Sequence, residues 1–351
     1  MDRTGSFRRR ACQKLFSFLL FTILAFGICL GTACDNENSK ETAEQEDSDF
    51  PVFKEEVTVK LPGMQGEKRF LYLSDLHLIT MSDQVAADQK ETVEGRMAWS
   101  SYEGVTAEQA WPTWITYLND QKADAVLFGA DMIDFASRSN VDALKEGLSN
   151  LKHDYLYVRA DHDLAPSYLN GVFEPESIGY QREIEPYDTV MMLEFDEFFI
   201  AGWNNSTAQM TPAGLQKMKI LNERAKKEGK AIILLTHVPI KPLGEGEEMP
   251  SPLGASEPLA GVVKNEKSLS EASGEAWSGR ALIWGAGCSY APDDITSEFL
   301  RMIYADDTPF VEILCGHLHF SWDGYVTEKV HQHVFGAAIE HNIGVITVTG
   351  E

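Results

Sequence analysis

Residues 70–77 read Phe-Leu-Tyr-Leu-Ser-Asp-Leu-His: four large apolar or aromatic side chains in succession, a serine, then an aspartate and a histidine two apart. An unbroken apolar run of this length suits a strand buried on both faces, as in a sheet covered by helices. The same construction recurs four times. Residues 125–130 run into Asp131, residues 155–160 into Asp161-His162-Asp163, residues 232–236 into His237, and residues 312–315 into Gly316-His317-Leu318-His319. Further strand-like runs cover 56–61 and 198–202, and helical patterns lie between the runs. Strands and helices in alternation predict an α/β layered fold.

The helices carry their own signals. Ser139 and Asp142 read as a capping box ahead of the stripe Val141, Leu144, Leu148, Leu151, and Thr106 with Gln109 as another ahead of Trp111 and Trp114. Pro112 should kink that second helix or delay its start. Thr211-Pro212 supplies a cap with a first-turn proline, and Gly229 a stop. Trp111 and Trp114 are expected in the core. The stretch 323–349 is strand-like and should extend a sheet; within it His331 and His333, two apart, share a face read as packed or solvated rather than metal-binding.

The chemistry sits at the ends of the strands. In open α/β sheets ligands bind beyond the carboxyl ends of strands, where adjacent loops aim side chains at a common point. Five such loops delivering only Asp and His make a metal constellation. Carboxylates and imidazoles together suit Mn, Fe or Zn, and the absence of Cys from the set disfavours a structural zinc site.

Taken in order, Asp-x-His, apolar-Gly-Ala-Asp, Asp-His-Asp, apolar-Thr-His and Gly-His-x-His resemble the full signature of the calcineurin-like metallophosphoesterases, from Phe70 to Phe320. The resemblance implies a four-layer α/β/β/α sandwich with two mixed β-sheets, two divalent metal ions, and metal-assisted hydrolysis of a small phosphate mono- or diester. It also implies roles. Asp75, His77 and His319 would hold one metal, Asp161, His237 and His317 the other, and Asp131 would bridge them. His162, paired with Asp163, would stabilise the transition state or protonate the leaving oxygen.

Two positions depart from the family pattern. Ala130 replaces the usual Gly, which matters only if the backbone there has positive φ. Asp161 replaces the usual Asn; it keeps a ligating oxygen and adds a charge, so metal affinity should rise while Lewis acidity falls. Arg159, two residues before Asp161, and Arg280 are candidates to grip a substrate phosphate. The competing reading is a non-catalytic, metal-containing surface binding lipoprotein with a degenerate phosphoesterase site. It has no use for an uncoordinated acid such as His162, which favours the enzyme.

Composition sets the frame. The chain has 351 residues, 44% hydrophobic and 24% charged, which excludes disordered, collagenous and multi-span membrane classes. With 30 Lys+Arg against 54 Asp+Glu its formal charge is -24, a balance that repels nucleic-acid phosphates. The basic residues lead: Arg3, Arg8, Arg9, Arg10 and Lys14 precede an uncharged apolar run over 15–30, the pattern of an export signal too short to span a bilayer. Leu30-Gly31-Thr32-Ala33-Cys34 resembles a bacterial lipobox, although the usual Leu sits one place early, and implies lipidation of Cys34. Residues 35–50 hold seven acids and one lysine and read as a solvated tether. The expected organisation is a signal peptide over 1–33, an acidic tether over 34–50 and one phosphoesterase domain over 51–351, exported and held to the membrane by a lipid anchor. Without its first 33 residues the chain carries 25 basic and 53 acidic residues, a charge of -28. Cys288 and Cys315 could form at most one bridge. Insertions over 81–104 and 241–290 should line the cleft and select the substrate.

Overall fold

Alternation along the apolar runs decides which layer each side chain enters. In residues 67–73, Phe70 and Tyr72 point to one apolar cluster while Leu71 and Leu73 point to another, and in 231–235 Ile233 and Leu235 part from Ile232 and Leu234 in the same way. Such strands are covered on both sides, so their sequence shows no polar alternation.

The computed structural model describes residues 50–81, 90–167, 175–184, 190–205, 209–243 and 267–351. The expected signal peptide, most of the tether and Cys34 lie outside the described residues, as do 82–89 and 244–266 of the two insertions. The strands are β1 Phe53–Leu61, β2 Glu67–Leu73, β3 Ser101–Tyr102, β4 Val105–Thr106, β5 Ala125–Gly129, β6 Tyr155–Val158, β7 Val190–Glu194, β8 Phe198–Trp203, β9 Ala231–Leu235, β10 Phe310–Cys315, β11 Trp322–Tyr325, β12 His331–Val334 and β13 Asn342–Gly350. The helices are α1 Lys90–Trp99, α2 Ala107–Asp120, α3 Arg138–Ser149, α4 Asp161–Leu164, α5 Pro175–Arg182, α6 Pro212–Glu228, α7 Leu269–Ala276 and α8 Asp294–Tyr304.

One sheet has the order β1-β13-β2-β5-β6 and the other β11-β12-β10-β9-β8-β7. Both are mixed: β13 runs antiparallel to β2 in the first, and β7–β8 and β11–β12 are antiparallel pairs in the second. Between the sheets lie Phe70, Tyr72, Leu127 and Val158 from one and Phe198, Ile200, Ile233 and Leu314 from the other. Outside the first sheet Trp111, Trp114, Val141 and Leu144 of α2 and α3 pack on Leu71 and Val126; outside the second, Met218, Leu221 and Phe299 of α6 and α8 pack on Ile232 and Phe199. This is the four-layer α/β/β/α sandwich, and 323–349 contributes three of its strands.

The caps at Thr106 with Gln109 and at Thr211 with Pro212 form as read, and Gly229 ends α6 at φ 69°. Helix α2 runs through Pro112 from a start at Ala107, so the proline does not delay it. The cap of α3 differs. Ser137, not Ser139, accepts the N–H of Asn140, and Asp142 instead pairs with Arg138 one turn earlier. An arginine in the first turn competes for the carboxylate that a capping box would need. Cys288 and Cys315 do not form the bridge.

Candidate metal centre

The turns after the strands bend sharply. Asp75, His77, Asp131, His317 and His319 all lie in the left-handed region, with φ between 49° and 70°. A non-glycine residue there costs roughly 1–2 kcal/mol, so the loops must be held by their surroundings. They are held by one another: Asp75 N–H donates to Ala130 O (3.0 Å), His77 N–H to Asp131 O (2.9 Å) and Gly316 N–H to His237 O (3.1 Å). Ala130 itself has φ 76°, so the position where the family uses Gly does carry the strain that Gly would relieve. At Gly316 a Cβ would stand 2.3 Å from both Asp75 Oδ2 and Ser74 Oγ, so any side chain there would force those groups to move.

These turns bring the Asp and His side chains into two adjoining groups, and His77 also closes a third with Asp134 and His162. Asp75, His77 and His319 form one, and Asp131, His237 and His317 the other, with one ligand atom per residue and all atoms of a group within 4.8 Å of one another. In the first, His77 Nε2 is 3.2 Å from His319 Nε2, and His319 Nε2 is 3.4 Å from Asp75 Oδ1. In the second, His237 Nε2 is 2.9 Å from Asp131 Oδ2. The groups share an edge, since Asp131 Oδ2 is 4.0 Å from His77 Nε2 and Asp75 Oδ1 is 3.8 Å from His237 Nε2.

Divalent cations fit this arrangement. Ligands about 2.0–2.2 Å from a common ion stand about 3–3.5 Å from each other, close to the spacing of the His77–His319, His319–Asp75 and His237–Asp131 pairs. Asp131 Oδ1 is buried without a hydrogen-bond partner, a state that a buried polar atom leaves only by acquiring one.

The electrostatics follow from crowding. Burial works against charge on Asp131, yet His237, His162 and His77 hold its carboxyl well below the usual range. Burial opposes charge on His237 as well, but Asp131 and Asp75 outweigh it and push its pKa up to about 10. Burial and the charge on His237 push His317 down to about 3, and burial lowers His77.

Asp163 does not pair with His162. Its carboxylate accepts the backbone N–H groups of Asp131, Met132, Ile133 and Ala160 and the hydroxyl of Tyr157, at 2.8 to 3.4 Å. It ties the loop after β5 to the loop after β6. Burial and the Asp131 charge push its pKa up to about 6, against donors that favour its charged form. The partner of His162 Nδ1 is the backbone carbonyl of Asp134 at 2.8 Å. Burial opposes charge on that ring, but Asp131, Asp161 and Asp134 together raise its pKa above the ordinary value.

Asp161 stands apart from both groups. It opens the short helix α4 with an exposed side chain, because the first position of that turn faces solvent, and it acts on His162 and Tyr290 through its charge alone. Arg159 is not a phosphate grip. It is fully buried, bonds Gln181 through Nε (3.0 Å) and Nη2 (3.2 Å), and lies over the Tyr157 ring. Arg280 is exposed, and its charge acts on Tyr290, whose hydroxyl is 3.4 Å from His317 Nε2. His331 and His333 line a separate cleft of about 600 Å³ towards the other end of β10, where they meet Glu312 (2.8 Å) and Glu55 (3.3 Å).

Sequence reasoning missed Asp134. Its buried carboxylate is 3.1 Å from His77 Nδ1 and binds Arg96, with Nε at 3.0 Å. The signal was present, for Asp134 follows Asp131 by three residues in the same strand-end loop. Arg96 and Trp99, whose indole neighbours both His77 and His319, come from α1 in the first insertion and carry no motif.

The family model for calcineurin-like phosphoesterases matches residues 68–321. No curated protein matches the sequence. Among solved structures, a dimetal phosphatase from Danio rerio is 10% identical with a TM-score of 0.46, over 78% of this chain and 88% of its own. A purple acid phosphatase from yellow lupin seeds is 10% identical with a TM-score of 0.44, over 80% of this chain and 45% of its own. A 5'-nucleotidase assigned in Staphylococcus aureus is 10% identical with a TM-score of 0.35, over 80% and 51%. With the family signature spread over five strand-end loops and its ligands gathered into two adjoining groups, the chain belongs to the calcineurin-like phosphoesterases, hydrolases of phosphate esters that use two divalent metal ions.

Proposed function

We propose that the protein hydrolyses a phosphate mono- or diester at the outer face of a bacterial membrane. The observation that carries the chemistry is the shared edge of the two Asp/His groups, with Asp131 facing His237 at 2.9 Å and His77 at 4.0 Å. When bound, two divalent cations supply an activated water and neutralise charge developing on the phosphoryl group. The chain does the rest. Asp75, His77 and His319 would hold one cation, His237 and His317 the other, and Asp131 lies within reach of both. Asp134 orients His77 through Nδ1. With the Nδ1 hydrogen of His162 committed to Asp134 O, a proton on Nε2 is the one offered to the leaving oxygen.

Support for the location is the basic start, the apolar run and Leu30-Gly31-Thr32-Ala33-Cys34, followed by an acidic stretch suited to a tether. Purified protein loaded with Mn, Fe or Zn and assayed against p-nitrophenyl phosphate and bis-p-nitrophenyl phosphate tests the activity, and the preferred ester assigns mono- or diesterase. Two bound cations with turnover of neither ester would favour the non-catalytic binding lipoprotein. Labelled palmitate should be incorporated by the natural sequence and not by Cys34→Ala.

A further inference from the structure

The last residue of α1 presents an apolar plate beside a charged centre. Trp99 is 44% exposed, while Trp111, Trp114, Trp203, Trp284 and Trp322 are buried. Its indole is nevertheless fixed. The guanidinium carbon of Arg96 lies 3.9 Å from the ring centroid, and Arg96 is bound to the buried carboxylate of Asp134. The rings of His77 and His319 are 5.2 and 5.6 Å away, the second at a tilt of 40°. A second indole, that of the half-buried Trp277, meets His319 edge-on at 5.9 Å. Among the described residues, the apolar cluster under helix α1 is formed by Val93 and Met97 with Ile79 and Phe135, and Trp99 is not part of it.

We propose that Trp99 is a specificity-determining residue that stacks on a planar aromatic group of the ester, so that the substrate class is phosphate esters of aromatic alcohols or of compounds carrying a flat ring close to the phosphorus. The inference rests on the hydrolase reading above. Holding two cations requires no exposed indole, whereas an aromatic group of an anionic ester would cover the Trp99 surface while its phosphate reaches the Asp/His groups. The ion pair of Arg96 with Asp134, which also orients His77, fixes the plate relative to the cation ligands. Rigid placement reduces what binding must spend on ordering the ring.

Esters with different leaving groups differ in intrinsic reactivity, so the test uses two inhibitors of equal charge. Phenylphosphonate and methylphosphonate share a head group and differ by the ring. The metal-loaded protein is expected to bind phenylphosphonate about tenfold more tightly, as judged by inhibition constants. Trp99→Ala should remove that ratio while methylphosphonate binding moves less than twofold and two cations remain by elemental analysis. Trp99→Phe should restore most of the ratio. Equal binding of the two phosphonates to the unsubstituted protein would overturn the inference and leave the hydrolase reading standing. So would a Trp99→Ala protein that loses cations and weakens both phosphonates together, since that is the behaviour of a shield over His77. Failure of the unsubstituted, metal-loaded protein both to bind either phosphonate and to turn over any ester would remove both readings.

Discussion

The carboxylate of Asp163 accepts the backbone N–H of Asp131 at 2.9 Å, while the ring between them in sequence, His162, turns its Nδ1 to the carbonyl of Asp134. Asp163 is therefore a positioning residue for Asp131. Asp163→Asn keeps the shape but points an amide N–H₂ at a set of donors, leaving at least one buried N–H unpaired. The expected loss is about 2–3 kcal/mol in denaturant unfolding. The pH dependence of kcat should keep its limb assigned to His162. A shift of that limb with unchanged stability would return Asp163 to the role of proton-relay partner.

Asp134→Asn acts elsewhere. A carboxylate behind a ligating imidazole fixes its orientation and raises its basicity, and losing one typically costs 10- to 100-fold in metal affinity. That loss is expected at the Asp75, His77, His319 group and not at the Asp131, His237, His317 group. Competition with a chelator of known strength should resolve one weakened and one unchanged cation. Equal weakening of both would mean that Asp134 acts on the loop as a whole.

What the sequence made legible was what is local. Apolar runs marked where β6, β9 and β10 lie because their ends fall near a change from apolar to polar side chains, and Thr211-Pro212 and Gly229 marked α6 because caps are local chemistry. Asp and His after each strand marked the ligands for the same reason. Pairings that cross elements were not legible. Asp163 lies next to His162 in the chain but its acceptors are aimed at another loop, and Arg159 is close to Asp161 in sequence yet points into the interior towards α5. Ser139 lost the cap of α3 to Ser137 because Arg138 claims Asp142.

Gly316→Ala introduces a Cβ 2.3 Å from Asp75 Oδ2, and the oxygen cannot retreat without leaving its neighbours, because both Asp75 oxygens also accept His317 N–H at 3.1 Å. Binding of the first cation should fall to a small fraction of its value and turnover by at least about tenfold, since the barrier depends on both ions. Elemental analysis after gel filtration checks the first, steady-state assay the second. Full occupancy at normal turnover would show that the loop after β10 yields more easily than its contacts imply.

Ala130→Gly is expected to be nearly neutral. Glycine would relieve the cost of φ 76°, about 1–2 kcal/mol, but loses a fully buried methyl worth about 0.8 kcal/mol and pays about 0.5–1 kcal/mol more in backbone entropy. Unfolding free energy should stay within about 1 kcal/mol of the parent. A gain much larger than that would mean that the strain at this turn exceeds the ordinary left-handed penalty.

Before a cation binds, the second group carries its proton on His237, because Asp131 and Asp75 raise that ring to about 10 against the opposing effect of burial, while His317 stays neutral at about 3. A cation needs the neutral imidazole, so loading this group at pH 7 must expel close to one proton. Apparent affinity there should rise with pH by up to tenfold per unit and level off near pH 10. Stability of the metal-free protein runs the opposite way. A raised pKa contributes stability that is fully present below the unfolded value near 6.5 and is lost as pH rises through about 10, so the metal-free protein should weaken in alkali where the loaded one does not. Titration calorimetry of the second cation in buffers of different ionisation enthalpy measures the proton count. A count near zero at pH 7 would place the proton off His237 and require the Asp131 and His237 contact at 2.9 Å to be held by something other than charge.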